Sequence, residues 1–194
     1  MNEKEWGLLE KEIINCKKCD LWKTRNNPVI GEGSKNAHVL FIGEAPGYWE
    51  DVKGHPFVGK AGKIFDELLE SIGLRRDEVY IANVLKCRPP SNRNPSQEEV
   101  DACIPYLDRQ IEMIHPRIIA TLGNFALSYI SKKFGLKQEN IGRIHGKTFK
   151  IKTLFGDLII IPLYHPAAAV YNPLLKNTLL EDISIMKKFL EQST

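Results

Sequence analysis

The sequence predicts an α/β fold, a three-layer α/β/α sandwich with a mostly parallel sheet, and three observations predict it. Short, nearly uninterrupted apolar runs recur along the chain, helical periodicity fills the stretches between them, and unusual polar residues stand where the runs end. Apolar runs of that kind suit strands buried on both faces, as in a parallel sheet. Their alternation with helices argues a helical layer on each side.

The elements follow in chain order. A first helix precedes Cys16. The run Ala37-His38-Val39-Leu40-Phe41-Ile42 is the first strand and ends at Gly43. Residues 60–72 set Ile64, Phe65, Leu68, Leu69 and Ile72 at spacings of three and four, one face of a helix. Val79-Tyr80-Ile81-Ala82-Asn83-Val84 is the second strand. Ser96 followed by Glu99 is a capping-box start for a helix through about His115. Ile118-Ile119-Ala120-Thr121-Leu122 makes the third strand, and a helix runs from Gly123 to Phe134. Leu158-Ile159-Ile160-Ile161-Pro162-Leu163 is the fourth strand, and a last helix spans roughly Leu174 to Glu191. No repeat or low-complexity tract interrupts this order. A length of 194 residues, 43% of them hydrophobic, suits a single domain over 1–194.

Composition narrows the partners. No run approaches the ~18 apolar residues needed to cross a bilayer, so no membrane is expected. The start, Met1-Asn2-Glu3-Lys4-Glu5-Trp6, carries early acids and no apolar core of a secretory signal, so a cytoplasmic protein is expected. A net charge of +3 permits a DNA partner without requiring one. Lys86, Arg88 and Arg93 fall in one Pro/Asn-rich loop, and Arg143 and Lys147 flank His145 in another. They read either as solvated charges or as a patch for an acidic polymer.

Ligands of open α/β sheets sit outside the C-terminal ends of the strands. Gly43-Glu44-Ala45-Pro46-Gly47, Asn83, Gly123-Asn124 and His165-Pro166 all fall there, which turns scattered residues into one candidate site. The chain also has four cysteines, Cys16, Cys19, Cys87 and Cys103. In a reducing compartment a disulfide framework is not expected. A C-x2-C pair with two further thiolates completes a tetrahedral set for a metal. Spacing leaves zinc and a [4Fe–4S] cluster both open, with four metal-free cysteines as the plain alternative.

Several motifs then converge. Gly43-Glu44-Ala45-Pro46-Gly47 is followed by His55-Pro56-Phe57-Val58-Gly59-Lys60-Ala61-Gly62. Asn83-Val84-Leu85-Lys86-Cys87-Arg88-Pro89-Pro90 comes next, and His165-Pro166-Ala167-Ala168-Ala169 last. In this order, with the cysteines between, they resemble the family 4 uracil-DNA glycosylases from Cys16 to about Tyr171. Any one motif is weak, and the ordered set is specific. The resemblance implies an α/β/α fold around a four-stranded parallel sheet. It implies a structural [4Fe–4S] cluster on Cys16, Cys19, Cys87 and Cys103, pinning loops that face DNA. The implied activity is that of a monofunctional DNA glycosylase, a monomer acting at the nucleoid on uracil-containing DNA, single- or double-stranded. It hydrolyses the bond between base and sugar, leaves an abasic site and so initiates base excision repair.

Each expected role has a physical ground. A uracil inside a duplex must be flipped into a pocket. By resemblance Phe57 stacks on it, although a Phe beneath a loop is also an ordinary core residue. Asn83 carries a donor and an acceptor, so one orientation reads N3–H and O4 of uracil and leaves cytosine unsatisfied. His165 resembles the histidine that donates to O2 as charge grows on the departing base. Backbone around Gly43, Glu44 and Ala45 supplies further contacts. Ala45 stands where family 1 enzymes carry a water-positioning aspartate. Either Glu44 orients the water, or the transition state is dissociative enough for electrostatics alone. Glu50 is the expected gate against the 5-methyl group of thymine, with solvated loop charge as the alternative for Glu50 and Asp51. Val170, Tyr171 and Asn172 form the expected wedge into the duplex, and Arg88, Arg93 and Lys147 the expected phosphate contacts.

Two rivals stand beside this reading. Gly59-Lys60-Ala61-Gly62-Lys63 resembles an anion-cradling turn, but Ile64 stands where a P-loop needs Ser or Thr. A non-catalytic iron–sulfur or zinc protein, binding nucleic acid or shuttling electrons, would make Asn83 and His165 dispensable.

Overall fold

The computed structural model describes residues 3–190. The strands are β1 (Glu32–Gly33), β2 (Val39–Gly43), β3 (Tyr80–Asn83), β4 (Ile118–Leu122), β5 (Phe149–Thr153) and β6 (Gly156–Leu163). The helices are α1 (Glu3–Ile14), α2 (Tyr48–Lys53), α3 (Lys60–Ser71), α4 (Gln97–Ile114) and α5 (Asn124–Lys133). Toward the C-terminus come α6 (Ile141–Ile144), α7 (Ala167–Tyr171), α8 (Leu175–Ser184) and α9 (Lys187–Leu190).

The sheet has the order β1-β3-β2-β4-β6-β5. Strands β3, β2, β4 and β6 run parallel, and they are the four apolar runs of the sequence. Two antiparallel edge strands extend this core to six strands, so the expected four-stranded parallel sheet is the middle of a mixed one. The reason lies in burial. Every residue of β2, β3 and β4 is buried, which leaves the continuous apolar signature. Strand β5 alternates half-buried and exposed residues, with Lys150 and Lys152 outward, a common device for protecting a sheet edge. Strand β1 is two residues long and has no signature.

Period-two alternation sends successive β2 side chains to opposite faces. Leu40 and Ile42 join a core with Trp6, Leu9, Ile13, Leu107, Ile111 and Ile130, under α1, α4 and α5. Phe41 joins Phe65, Leu68, Leu69, Leu179 and Ile183, under α3 and α8, on the other face. This is the three-layer arrangement. Helix α4 opens with the capping box: Ser96 Oγ accepts from the Glu99 N–H at 3.2 Å, and Glu99 Oε2 accepts from the Ser96 N–H at 2.8 Å. The helix expected from Leu174 to Glu191 is divided into α8 and α9 by a turn at Ile185 and buried Met186. Glu191 lies outside the described residues.

Register aligns the strand ends. Gly43 pairs with Asn83, and Leu122 with Leu163. Beyond them the Val84 N–H donates to Gly43 O (3.0 Å), Leu85 N–H to Glu44 O (2.9 Å) and Gly123 N–H to Leu163 O (2.9 Å). The loops that leave the sheet are therefore tied to each other at one end of the molecule.

Candidate active site

At that end lies a pocket of about 390 Å³, lined by Glu44, Ala45, Glu50, Phe57, Asn83, His165 and Tyr171 among others. The volume falls in the range of small-molecule sites. Strand ends β2, β3 and β6 deliver Glu44, Asn83 and His165 into it, as parallel-sheet topology dictates.

Phe57 is buried, and its ring stacks on Phe65 (centroids 4.9 Å apart, planes 29° apart) and on His165 (5.5 Å, 24°). Its backbone sits in the left-handed region at φ 53°, a costly place for a non-glycine residue that surrounding structure must enforce. Arg76 Nη1 donates to Pro56 O at 3.0 Å and Arg76 Nη2 to Phe57 O. On the other side, Glu50 Oε1 accepts from the N–H groups of Val58 and Gly59, each at 2.9 Å. Gly62 completes the clamp: a Cβ there would lie 1.8 Å from Phe57 O, so only glycine lets α3 begin this close. Neither Glu50 nor Asp51 is solvated loop charge, since Asp51 is buried and accepts from the Asn26 backbone at 2.9 Å.

Asn83 is buried with its amide toward Gly43, where a Cβ would come within 2.4 Å of Asn83 Oδ1 and 3.3 Å of the Phe57 ring. Glycine at this strand end is thus what leaves room for the amide and the ring together. His165 Nδ1 accepts the Ala167 N–H at 3.1 Å. The neutral imidazole then carries its proton on Nε2, because a ring nitrogen that accepts is unprotonated. Burial pushes His165 down to about 4, against the opposing pull of Glu50, so the ring is neutral at pH 7. Burial likewise raises the half-buried Glu44 carboxyl above its ordinary value.

The cations expected to touch DNA are distributed unevenly. Arg93 lines the pocket mouth but also forms an ion pair with Glu99. Arg88 lies over the Tyr48 ring at 5.2 Å, with Nε donating to Asn92 Oδ1 at 2.7 Å. Lys147 is exposed and outside the pocket lining, as is the half-buried Val170, whereas Tyr171, 88% exposed, stands at the rim. Lys86 departs most from its reading as a loop cation. It is 1% exposed, with Nζ donating to Asn83 O (2.9 Å) and to Gln110 Oε1 (2.6 Å), and burial pushes it down to about 8. Nothing local in the sequence marks Lys86 as internal or Arg76 as the brace of Phe57, since Gln110 and the Phe57 loop come from segments about twenty residues away.

All four cysteines line a second cavity, with Ile13, Leu21, Arg25, Lys86 and Tyr106. They are not disulfide-bonded. Arg25 Nη1 donates to Cys87 Sγ at 3.0 Å, and the Lys86 backbone N–H to Cys103 Sγ at 3.2 Å. Donors aimed at sulfur suit thiolates, which is the form a metal binds. As bare thiols, Cys103 is pushed up to about 12, and Cys87 and Cys19 are raised, all chiefly by burial. Among the described residues no three Cys, His, Asp or Glu side chains close on a single-ion site.

Residues 30–184 match the family model described as the uracil DNA glycosylase superfamily. A type-4 uracil-DNA glycosylase of Saccharolobus solfataricus is 49% identical over 184 residues, covering 94% of this chain and 85% of the relative. One of Archaeoglobus fulgidus is 51% identical over 166 residues (86% and 83%), and one of Thermotoga maritima 40% over 187 residues (95% and 94%).

Proposed function

The chain belongs to the uracil DNA glycosylase superfamily and to its type-4 members, and from that premise we propose a residue-level mechanism for uracil excision from DNA. One observation carries it: a buried amide, an aromatic ring and a neutral histidine converge on a single pocket at the sheet's C-terminal edge.

A flipped uracil stacks on Phe57, whose position is enforced by Arg76, Glu50 and Gly62. Asn83 accepts from N3–H and donates to O4, and cytosine would leave both groups of the amide unpaired. His165 donates from Nε2 to O2, where negative charge accumulates as the bond to C1′ breaks, and backbone near Gly43 and Ala45 adds to this. A neutral donor suits the task, since it gains strength as the oxyanion forms without carrying its own charge in the resting state. Glu50 is held by two backbone amides and walls the pocket against a 5-methyl group. Glu44 is the pocket carboxylate not committed in that way, and it orients the water. The water oxygen joins C1′, its proton leaves, and the uracil anion takes up a proton after release.

The thiol cavity holds a [4Fe–4S] cluster on Cys16, Cys19, Cys87 and Cys103. The sulfur-directed donors and the ring of thiols around one cavity support this assignment. The cluster cross-links the loops around it and supplies no step of the hydrolysis. The chain acts as a single-domain monomer at the nucleoid, on single- or double-stranded DNA, with Tyr171 as wedge and Arg88 and Arg93 near the phosphates. No described helix is long and apolar enough to cross a membrane.

The test is incubation with a labelled oligonucleotide carrying one uracil, then alkali to cut abasic sites. Cleavage only at uracil, lost in folded, cluster-bearing Asn83→Ala protein, is expected. Full activity in that variant would refute the assigned pocket.

A further inference from the structure

Helix α2 is turned inside out. Its carboxylates face the protein: Asp51 is 1% exposed and bonded to the Asn26 backbone and side chain at 2.9 and 2.6 Å, and Glu50 holds Val58 and Gly59. Its large apolar residues face water, with Tyr48, Trp49 and Val52 at 51%, 54% and 41% exposure. A single exposed apolar residue is unremarkable in a soluble protein. Two adjacent aromatics, presented by a segment whose acids have been drawn inward to anchor it, are a different matter. Their rings stand edge to face, 5.1 Å apart at 79°.

The surroundings suggest what they meet. The Arg88 guanidinium covers Tyr48, and its Nε bond to Asn92 ties the shelf to a residue of the pocket lining. Gly47 and Glu50, at either end of the aromatic pair, also line the pocket. The shelf is therefore continuous with the mouth through which the uracil nucleotide enters. Aromatic faces beside a cation match a base next to a phosphate, and every base has a face to offer. In an unpaired strand the base beside the uracil is available for such a stack, whereas in a duplex it is held by its partner and neighbours.

We propose that Tyr48 and Trp49, backed by Arg88, form a stacking shelf for the base adjacent to uracil in an unpaired strand, and that this shelf favours single-stranded uracil-containing DNA. The inference rests on the glycosylase reading. Tyr171 on the rim is the wedge for a duplex, and the shelf on α2 serves the strand that has no duplex to wedge.

The test compares KM for a uracil oligonucleotide, single-stranded and in duplex, between the wild type, Trp49→Ala and Trp49→Phe, using cluster-bearing protein with unchanged far-UV circular dichroism. Trp49→Ala is expected to raise the single-stranded KM about tenfold and the duplex KM by much less, with Trp49→Phe recovering most of the loss, as a lost base stack would. Equal rises on both substrates, or none, would overturn the shelf. Quenching supplies a second measurement that needs no alanine variant. Uracil-free single-stranded DNA should quench wild-type tryptophan emission more than that of Trp49→Phe, and equal quenching would also overturn it. Failure of the wild type to cut either substrate, with this quenching intact, would sink the glycosylase reading and leave the shelf standing.

Discussion

The base pocket and the thiol cavity draw on one short segment, 83–87, and treat polar groups in opposite ways. In the pocket, the Asn83 and His165 side chains line the wall at the sheet edge, and the protein's own bonds go to their supports: Glu50 and Arg76 to the Phe57 loop, Ala167 to His165 Nδ1. In the cavity the donors are spent on the sulfurs themselves, from Arg25 and from the Lys86 backbone. One region keeps its polar side chains on a pocket wall, and the other directs its donors at sulfur. Lys86 joins the two, its backbone bound to Cys103 and its ammonium to the Asn83 carbonyl.

The largest expected break is His165→Ala. It should lower kcat roughly 10²–10³-fold, as losing one oxyanion donor does, with melting temperature and cluster absorbance little changed. A large fall in melting temperature instead would put His165 on the structural side of the comparison. Lys86→Met should act on both regions. It strands Gln110 Oε1 and the Asn83 carbonyl, at a cost of about 1–3 kcal/mol in a denaturant titration, and it raises KM because the strand end carrying Asn83 loses its tether. Unchanged stability would show that the two regions are independent.

Gly43→Ala is expected to do less and only to the pocket. Its Cβ, 2.4 Å from Asn83 Oδ1, must displace the amide, for a KM rise of about tenfold, the scale of one lost hydrogen bond, with stability little affected. The smallest effect is an absence of change with pH. Because burial holds His165 at about 4 in the fold, kcat/KM should show no His165 inflection near 6.5, and the first acid-side fall should belong to Glu44, whose carboxyl burial raises. The sign for stability is the same. The unfolded chain takes the proton first, so stability from this group is complete above 6.5 and is lost as pH falls from there through about 4. An inflection near 6.5 that vanishes in His165→Gln would show an exposed, ordinary imidazole.

Much of this was legible along the chain. The parallel core strands announced themselves because burial on both faces leaves continuous apolar runs, and the Ser96–Glu99 box marked the start of α4 because capping is local chemistry. The gathering of Gly43, Asn83 and His165 at one edge followed from topology alone. The edge strands did not show, since β5 is half solvated and β1 too short to form a pattern.

What the sequence by itself determined, then, is which residues are delivered to the site and which four cysteines belong together, because strand ends and ordered motifs are properties of the chain. Tertiary structure alone decided how those residues are held. Lys86 is internal because Gln110 and the Asn83 carbonyl reach it from other elements, Phe57 keeps a left-handed backbone because Arg76 and Glu50 close on it, and the aromatics of α2 face outward because Asn26 draws Asp51 in. The Gln110, Arg76 and Asn26 contacts come from distant segments, and even the short Lys86–Asn83 and Glu50–Val58 links cross from one element to another, so no periodic pattern records them.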